Sequence, residues 1–228
     1  MVASGRGRAR LCCIICPAHS PADVPRSFCQ HPAYLDEIKH ARLCYGFASA
    51  FLEEDFGPGL LDVNESLENM DLKEIIRSVI TEGCIGETLS AVEAHLAAHF
   101  AQDLAVKDAL TQIAAEETNH GQLAWDTIKW IIEKHPETRS YVDGIFHAEL
   151  EHRMMMSARN GTSLPSTKLC QDYERETSFR RYGLIDGADR GRVGEAGIRE
   201  IIAPIYRAGF KDVDNISKLI KQLEVSLL

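Results

Sequence analysis

The sequence predicts an all-α protein, a helical bundle with extra C-terminal helices. Three observations predict it. Long stretches rich in Ala, Leu, Glu and Ile carry apolar residues at three and four residue intervals, the period of an amphipathic helix. Alternating strand-like runs are scarce. Helix punctuation recurs at Pro32, Gly57-Pro58-Gly59, Asp71, Pro136 and Asn160-Gly161. At 228 residues the chain can bury one sizeable core with a small appendage. It divides into an irregular or disordered N-terminal segment over 1–32, a helical core over 33–135 and a C-terminal helical extension over 136–228.

Composition excludes some classes of function. A formal charge of -9, from 34 acidic and 25 basic residues, argues against nucleic-acid binding, which draws on basic patches. No apolar run approaches the roughly 18 residues of a membrane span. Seven cysteines form no evenly spaced framework: Cys12, Cys13, Cys16 and Cys29 crowd the N-terminus, while Cys44 and Cys84 fall in helices. They read as free thiols of a soluble intracellular, cytoplasmic protein. Arg6, Arg8 and Arg10, in a segment nearly free of acid, leave organelle targeting open.

In chain order, Pro17, Pro21, Pro25 and Pro32 forbid a continuous helix over 1–32. Cys13, Cys16, Cys29 and His31 could hold zinc in principle but lack a second well-spaced pair. A helix starts at Ala33 and is expected to stop at Gly57-Pro58-Gly59, with Glu37, His40, Ala41, Cys44, Phe47, Ala48 and Phe51 on its inward face. Residues 56–70 form a polar link that could extend about 45 to 50 Å, the length of a bundle. Asp71 with Glu74 makes a capping box, with Asp in place of Ser or Thr.

The next helix carries Ile75, Val79, Leu89, Leu96 and Phe100 on one face. A short turn near 102–105 makes it the antiparallel neighbour of a helix ending near Lys134, whose apolar face runs through Val106, Ala109, Leu110, Ile113, Ala114, Ala124, Ile128 and Ile131. Residues 137–159 read as helical and are followed by a connection over 162–167. Gly183, Gly187, Gly191, Gly194 and Gly197 make the next piece turn-rich. Helices are expected again over Arg199 to Tyr206 and Ser217 to Val225.

The chemistry lies on the apolar faces. Glu117 and His120 fall inside the stripe of their helix, where an unpaired charge is costly, so a Glu-x-x-His placed there needs partners, and a metal is one. Glu37 and His40 repeat the motif on a second core-facing stripe. The antiparallel neighbour offers Glu82, which faces inward better, and Glu87, which lies on the flank. Counted from about residue 103, Glu117 stands about 14 positions and Glu87 about 16 from the turn, a near match in height. Both are kept as candidates. A third pair, Glu149 and His152, lacks a matching hairpin partner. Glu116 reads as a solvated flank residue, His95 and His99 as surface residues, and Trp125 and Trp130 as packing. Gly83 and Gly86 either admit a neighbouring helix or weaken their own.

Two Glu-x-x-His motifs on separate helices, with an inward glutamate on the helix paired with one of them, resemble the ferritin-like, rubrerythrin-like di-iron carboxylate superfamily. The segments Asp36 to Cys44, Glu82 to Thr88 and Ile113 to His120 carry the resemblance, which covers roughly 33–133. It implies a ferritin-like up-down bundle holding two iron ions, or iron and manganese. Glu37 and Glu117 would bridge them, His40 and His120 would be terminal ligands, and Glu87 or Glu82 would be the third helix's carboxylate. It also implies oxidoreductase chemistry on oxygen or peroxide. The family places a ligand-bearing helix before the first Glu-x-x-His, and here the proline-broken segment 1–32 takes that place, so this first helix is missing or altered. The alternative is a metal-free, degenerate ferritin-like module acting in protein-protein interaction, including association with a second copy of itself.

Overall fold

Helix starts and stops mostly follow the punctuation of the chain. In a computed structural model that describes residues 33–59, 71–160, 179–211 and 213–227, helix α1 spans Ala33–Leu52 and α2 spans Leu72–Ser78. Helix α2 runs directly into a π-helical segment, Val79–Glu87, and then into α3, Thr88–Phe100. Helix α4 (Leu104–Lys134) is followed by a 3-10 turn, Pro136–Thr138, and by α5 (Arg139–Asn160). Beyond these lie α6 (Gly187–Gly197), a second π-helical segment (Ile198–Ile202), α7 (Ala203–Arg207), a 3-10 turn (Val213–Asn215) and α8 (Ile216–Leu227). Among the described residues there is no strand, so the fold is an all-α helical bundle. The segment 1–32 with its Cys and His set, residues 60–70 of the polar link and the connection over 162–167 lie outside the described residues.

The expected capping box forms: the Asp71 carboxylate accepts from the Glu74 N–H at 2.8 Å, and the Glu74 carboxylate accepts from the Asp71 N–H at 3.0 Å. These bonds satisfy two of the donors that a helix start leaves orphaned. Asp103 caps α4 in the same way by accepting from the Val106 N–H at 3.0 Å. The short turn between α3 and α4 lays these two helices along each other. The carbonyl of Arg181 fixes that turn by accepting from the Gln102 N–H at 2.8 Å.

One hydrophobic cluster joins both sides of residue 136. Ile80 and Ile85 from the first π-helical segment, Trp125 and Ile128 from α4, Phe146 from α5, and Ile201, Ile205 and Ile220 near the C-terminus are all fully buried in it. No described helix is long and apolar enough to cross a membrane.

Three expectations are corrected. Helix α1 stops at Leu52, ahead of Gly57, because Glu53 takes a left-handed φ of 56° and the Ser49 hydroxyl captures the Phe56 N–H at 2.8 Å. The glycine-rich piece is helical over Gly187–Gly197, capped by Asp186, whose carboxylate accepts from the Asp189 N–H at 2.7 Å. A Cβ on Gly197 would lie 2.5 Å from Leu89 Cδ2, so the glycine there serves close helix packing. The inward face of α1 is also narrower than its pattern suggests. Ala33, Asp36 and His40 are buried and Glu37, Phe47 and Ala48 are half-buried, but Ala41, Cys44 and Phe51 are exposed. Helix α1 rests chiefly on α4, so only a thin stripe of it is covered.

Candidate metal centre

Three elements bring acidic and imidazole side chains to one place. Helix α1 contributes Asp36, Glu37 and His40, the junction of the π-helical segment with α3 contributes Glu87, and α4 contributes Glu116, Glu117 and His120. One ligand atom from each of Glu37, Glu87, Glu117 and His120 lies within 4.8 Å of the others. Glu87, Glu117 and His120 are 3 %, 2 % and 3 % exposed, so water reaches them little.

The two motifs cross. His40 Nδ1 lies 3.3 Å from Glu117 of the opposite motif and 3.9 Å from Glu37 of its own. His120 Nδ1 lies 3.4 Å from Glu37 and 3.6 Å from Glu117. The imidazole rings stand 6.0 Å apart. The outer nitrogens cross as well: His40 Nε2 donates to Glu116 at 2.7 Å, and His120 Nε2 lies 3.4 Å from Asp36. Each imidazole is therefore held by the acidic residue that precedes the other motif's glutamate. At the surface end Lys39 Nζ lies 2.7 Å from Asp36 and 3.6 Å from Glu116, tying the two outer carboxylates together.

These contacts set the proton affinities. Burial alone would favour a neutral His120, but hydrogen bonds to Glu117 and Glu37 outweigh it and raise the imidazolium pKa to about 10. Burial likewise opposes a charged His40, whose pKa is nonetheless raised by Glu117 and Glu116. Burial pushes the Asp36 carboxyl up, and Lys39 and His120 together bring it below its ordinary value.

Of the two candidate glutamates on the neighbouring helix, Glu87 joins the group. Glu82 is half-buried and lies outside it. The cause is the π-helical segment between Val79 and Glu87. A π turn closes its hydrogen bonds over five residues where an α turn closes them over four. Each residue so inserted turns the following side chains by about 100° from the phase set upstream. Glu87, on the flank of an ideal helix, thereby faces inward.

Glu116 and Asp36 are the residues that sequence reasoning missed. Glu116 accepts from His40 and, at 3.0 Å, from Gln112, so it is no solvated flank residue. The signal was present, since both motifs read acid-Glu-x-x-His. Gly121 was also passed over. A Cβ there would lie 3.2 Å from Thr88 Oγ1, and its absence lets α4 approach the residue after Glu87.

The remaining candidates lie elsewhere. Glu149 pairs with Arg153 at 3.4 Å and His152 is exposed, so neither joins the cluster. His99 is exposed and His95 half-buried. Trp125 is fully buried packing, stacked on Phe146.

Carboxylates with imidazole form a donor set suited to iron, manganese or zinc, and soft metals would prefer thiolate. The convergence of four donors is compact enough for one ion or a closely spaced pair, so the residues fit the group that the motifs imply. No protein-family model matches the chain, and neither a curated protein nor a solved structure matches it significantly.

Proposed function

We propose that the chain is a ferritin-like metalloprotein, a non-haem di-iron or iron-manganese oxidoreductase that binds oxygen or peroxide. The observation that carries this reading is the convergence of Glu37, Glu87, Glu117 and His120 in a buried place, each offering one donor within 4.8 Å of the rest. Glu37 and Glu117 would bridge two ions, His40 and His120 would be terminal ligands, and Glu87 would supply the third helix's carboxylate. Bound iron would supply one-electron chemistry toward oxygen or peroxide.

The chain's own groups supply the rest. Asp36 and Glu116 orient the two imidazoles through their outer nitrogens, the usual office of carboxylates behind histidine ligands. His120 holds its proton in the metal-free protein and gives it up on loading, since a ligating imidazole is neutral. The apolar side chains of α3 and α4 limit the access of water.

The test is elemental analysis of protein produced in iron-supplemented medium. About two iron ions per chain are expected, as in a di-iron bundle, and their loss in the double variant Glu117→Ala/His120→Ala. Unchanged metal content in that variant would sink the proposal.

A second reading, the metal-free interaction module, is favoured by the outer side of α1, where Tyr34, Leu35 and Ile38 are 57 %, 45 % and 47 % exposed. Metal-free protein with full stability and a concentration-dependent association would favour it over the first.

A further inference from the structure

Helix α1 carries a second apolar stripe beside the one that meets α4. The buried stripe runs through Ala33, Asp36 and His40. About a third of a turn around the helix from it, Tyr34, Ile38, Ala41, Tyr45, Ala48 and Leu52 recur at intervals of four, three, four, three and four residues. That alternation is the period of a coiled-coil seam, narrower than the stripe a helix turns to a globular core. Tyr34, Ile38, Ala41 and Leu52 are exposed, and Tyr45 and Ala48 are half-buried. The seam is thus largely open.

Its side chains define what fits there. If a second α1 lies antiparallel on the first, Tyr34 meets the partner's Leu52, Ile38 meets the partner's Ala48 and Ala41 meets the partner's Tyr45. Two-fold symmetry repeats each pair. In both inner pairs a large side chain faces an alanine, the interdigitation that a well-packed seam needs. A parallel pair would set tyrosine against tyrosine and alanine against alanine, crowding one layer and emptying the next. Phe56, its ring 5.8 Å from that of Tyr45 and half exposed, widens the apolar margin.

The charges agree with the antiparallel register. Glu53, Glu54 and Asp55 follow α1 directly at its negative, C-terminal pole, and all three are exposed. Acid is unfavourable at that pole of its own helix. With Leu52 beside the partner's Tyr34, the acidic run comes alongside the positive, N-terminal pole of the partner's α1. A parallel register would set the two acidic runs side by side.

We propose that two copies of this chain associate through α1, antiparallel and two-fold related, with Ala41 of each packed against Tyr45 of the other. The proposal deepens the interaction reading above and rests on it for the open side of α1, but not for the absence of a metal. The buried stripe still faces α4 in the pair, so Glu37 and His40 keep their places.

The test is sedimentation equilibrium of the full chain over a wide range of protein concentration, with circular dichroism to check that each variant keeps its helicity. A concentration-dependent dimer is expected. Ala41→Glu and Tyr45→Lys should each raise its dissociation constant about 100-fold or more, because each variant dimer would bury two unpaired charges. Mixing the two variants should restore a dimer, since the introduced carboxylate then faces the introduced ammonium while the other Ala41 and Tyr45 still meet. Unchanged affinity in both variants would overturn this pairing and leave the interaction reading standing. Two weakened variants whose mixture stays monomeric would overturn the antiparallel register, and the proposal with it. An unaltered chain that is monomeric at every concentration would overturn both the pairing and the interaction reading.

Discussion

Among its described residues the protein buries acid in two places and treats it in opposite ways. Asp189 is fully buried, yet two guanidinium groups, those of Arg180 and Arg192, reach its carboxylate, and Arg180 also lies 4.7 Å over the Phe100 ring. Arginine is permanently charged, so that carboxylate is neutralised by covalent chain at every accessible pH. The described groups of the candidate metal centre are five carboxylates, two imidazoles and one lysine. Their positive charge is partly titratable. A buried acid closed by arginine ties the structure together, whereas one closed by histidine is left open to chemistry.

The comparison can be broken first at the candidate metal centre. Ferrous iron at about 100 times its Kd should raise the unfolding free energy of the protein by ~2.7 kcal/mol. Glu87→Gln should abolish most of that gain and Glu82→Gln should keep it, as read from urea unfolding with and without iron. Equal losses in both variants would remove the distinction that the π-helical segment draws.

Asp189→Ala comes next. Stripping two guanidiniums of a buried acceptor should cost about 2 kcal/mol, with iron uptake unaltered. Lost uptake would show that the two acidic places are coupled after all.

A more gradual effect follows from His120, whose pKa rises from 6.5 to about 10 on folding. The stability it contributes is fully present below 6.5 and is lost as pH climbs through about 10. Metal-free protein should therefore unfold in progressively less urea across that window. With iron present the slope reverses, because the ion needs the neutral imidazole and its stabilising effect grows with pH. A metal-free profile without slope would contradict the ion pairing of His120 with Glu117 and Glu37.

Where the chain is an ideal α-helix, the sequence was legible. The α4 periodicity put Glu117 and His120 in the core, and the capping signal at Asp71 sits where a helix begins. Legibility failed where geometry departs from that period or where a partner decides burial. Glu87 looks like a flank residue on a 3.6-residue wheel and turns inward only through the wide turns before it. Asp36 and Glu116 look like solvent-facing acids until the opposite helix's histidine is in place. Gly197, which reads as part of a turn, serves tight packing against Leu89, which no local pattern announces. In α1 the apolar pattern is real, but α4 covers only a narrow band of it.

That thin coverage gives the molecule an order of assembly. Among the apolar residues of α1 only Ala33 is buried, while Glu87, Glu117 and His120 are held by helices that share the hydrophobic cluster. The cluster can condense as one cooperative unit, and it carries three of the five proposed donors with it. Glu37 and His40 arrive afterwards on a helix whose main attachment is ionic. Docking of α1 then belongs to the low-cost end of the protein's opening motions, where amide protons exchange early. An ion held between the two halves would act as mortar, turning the last piece to join into one of the hardest to remove.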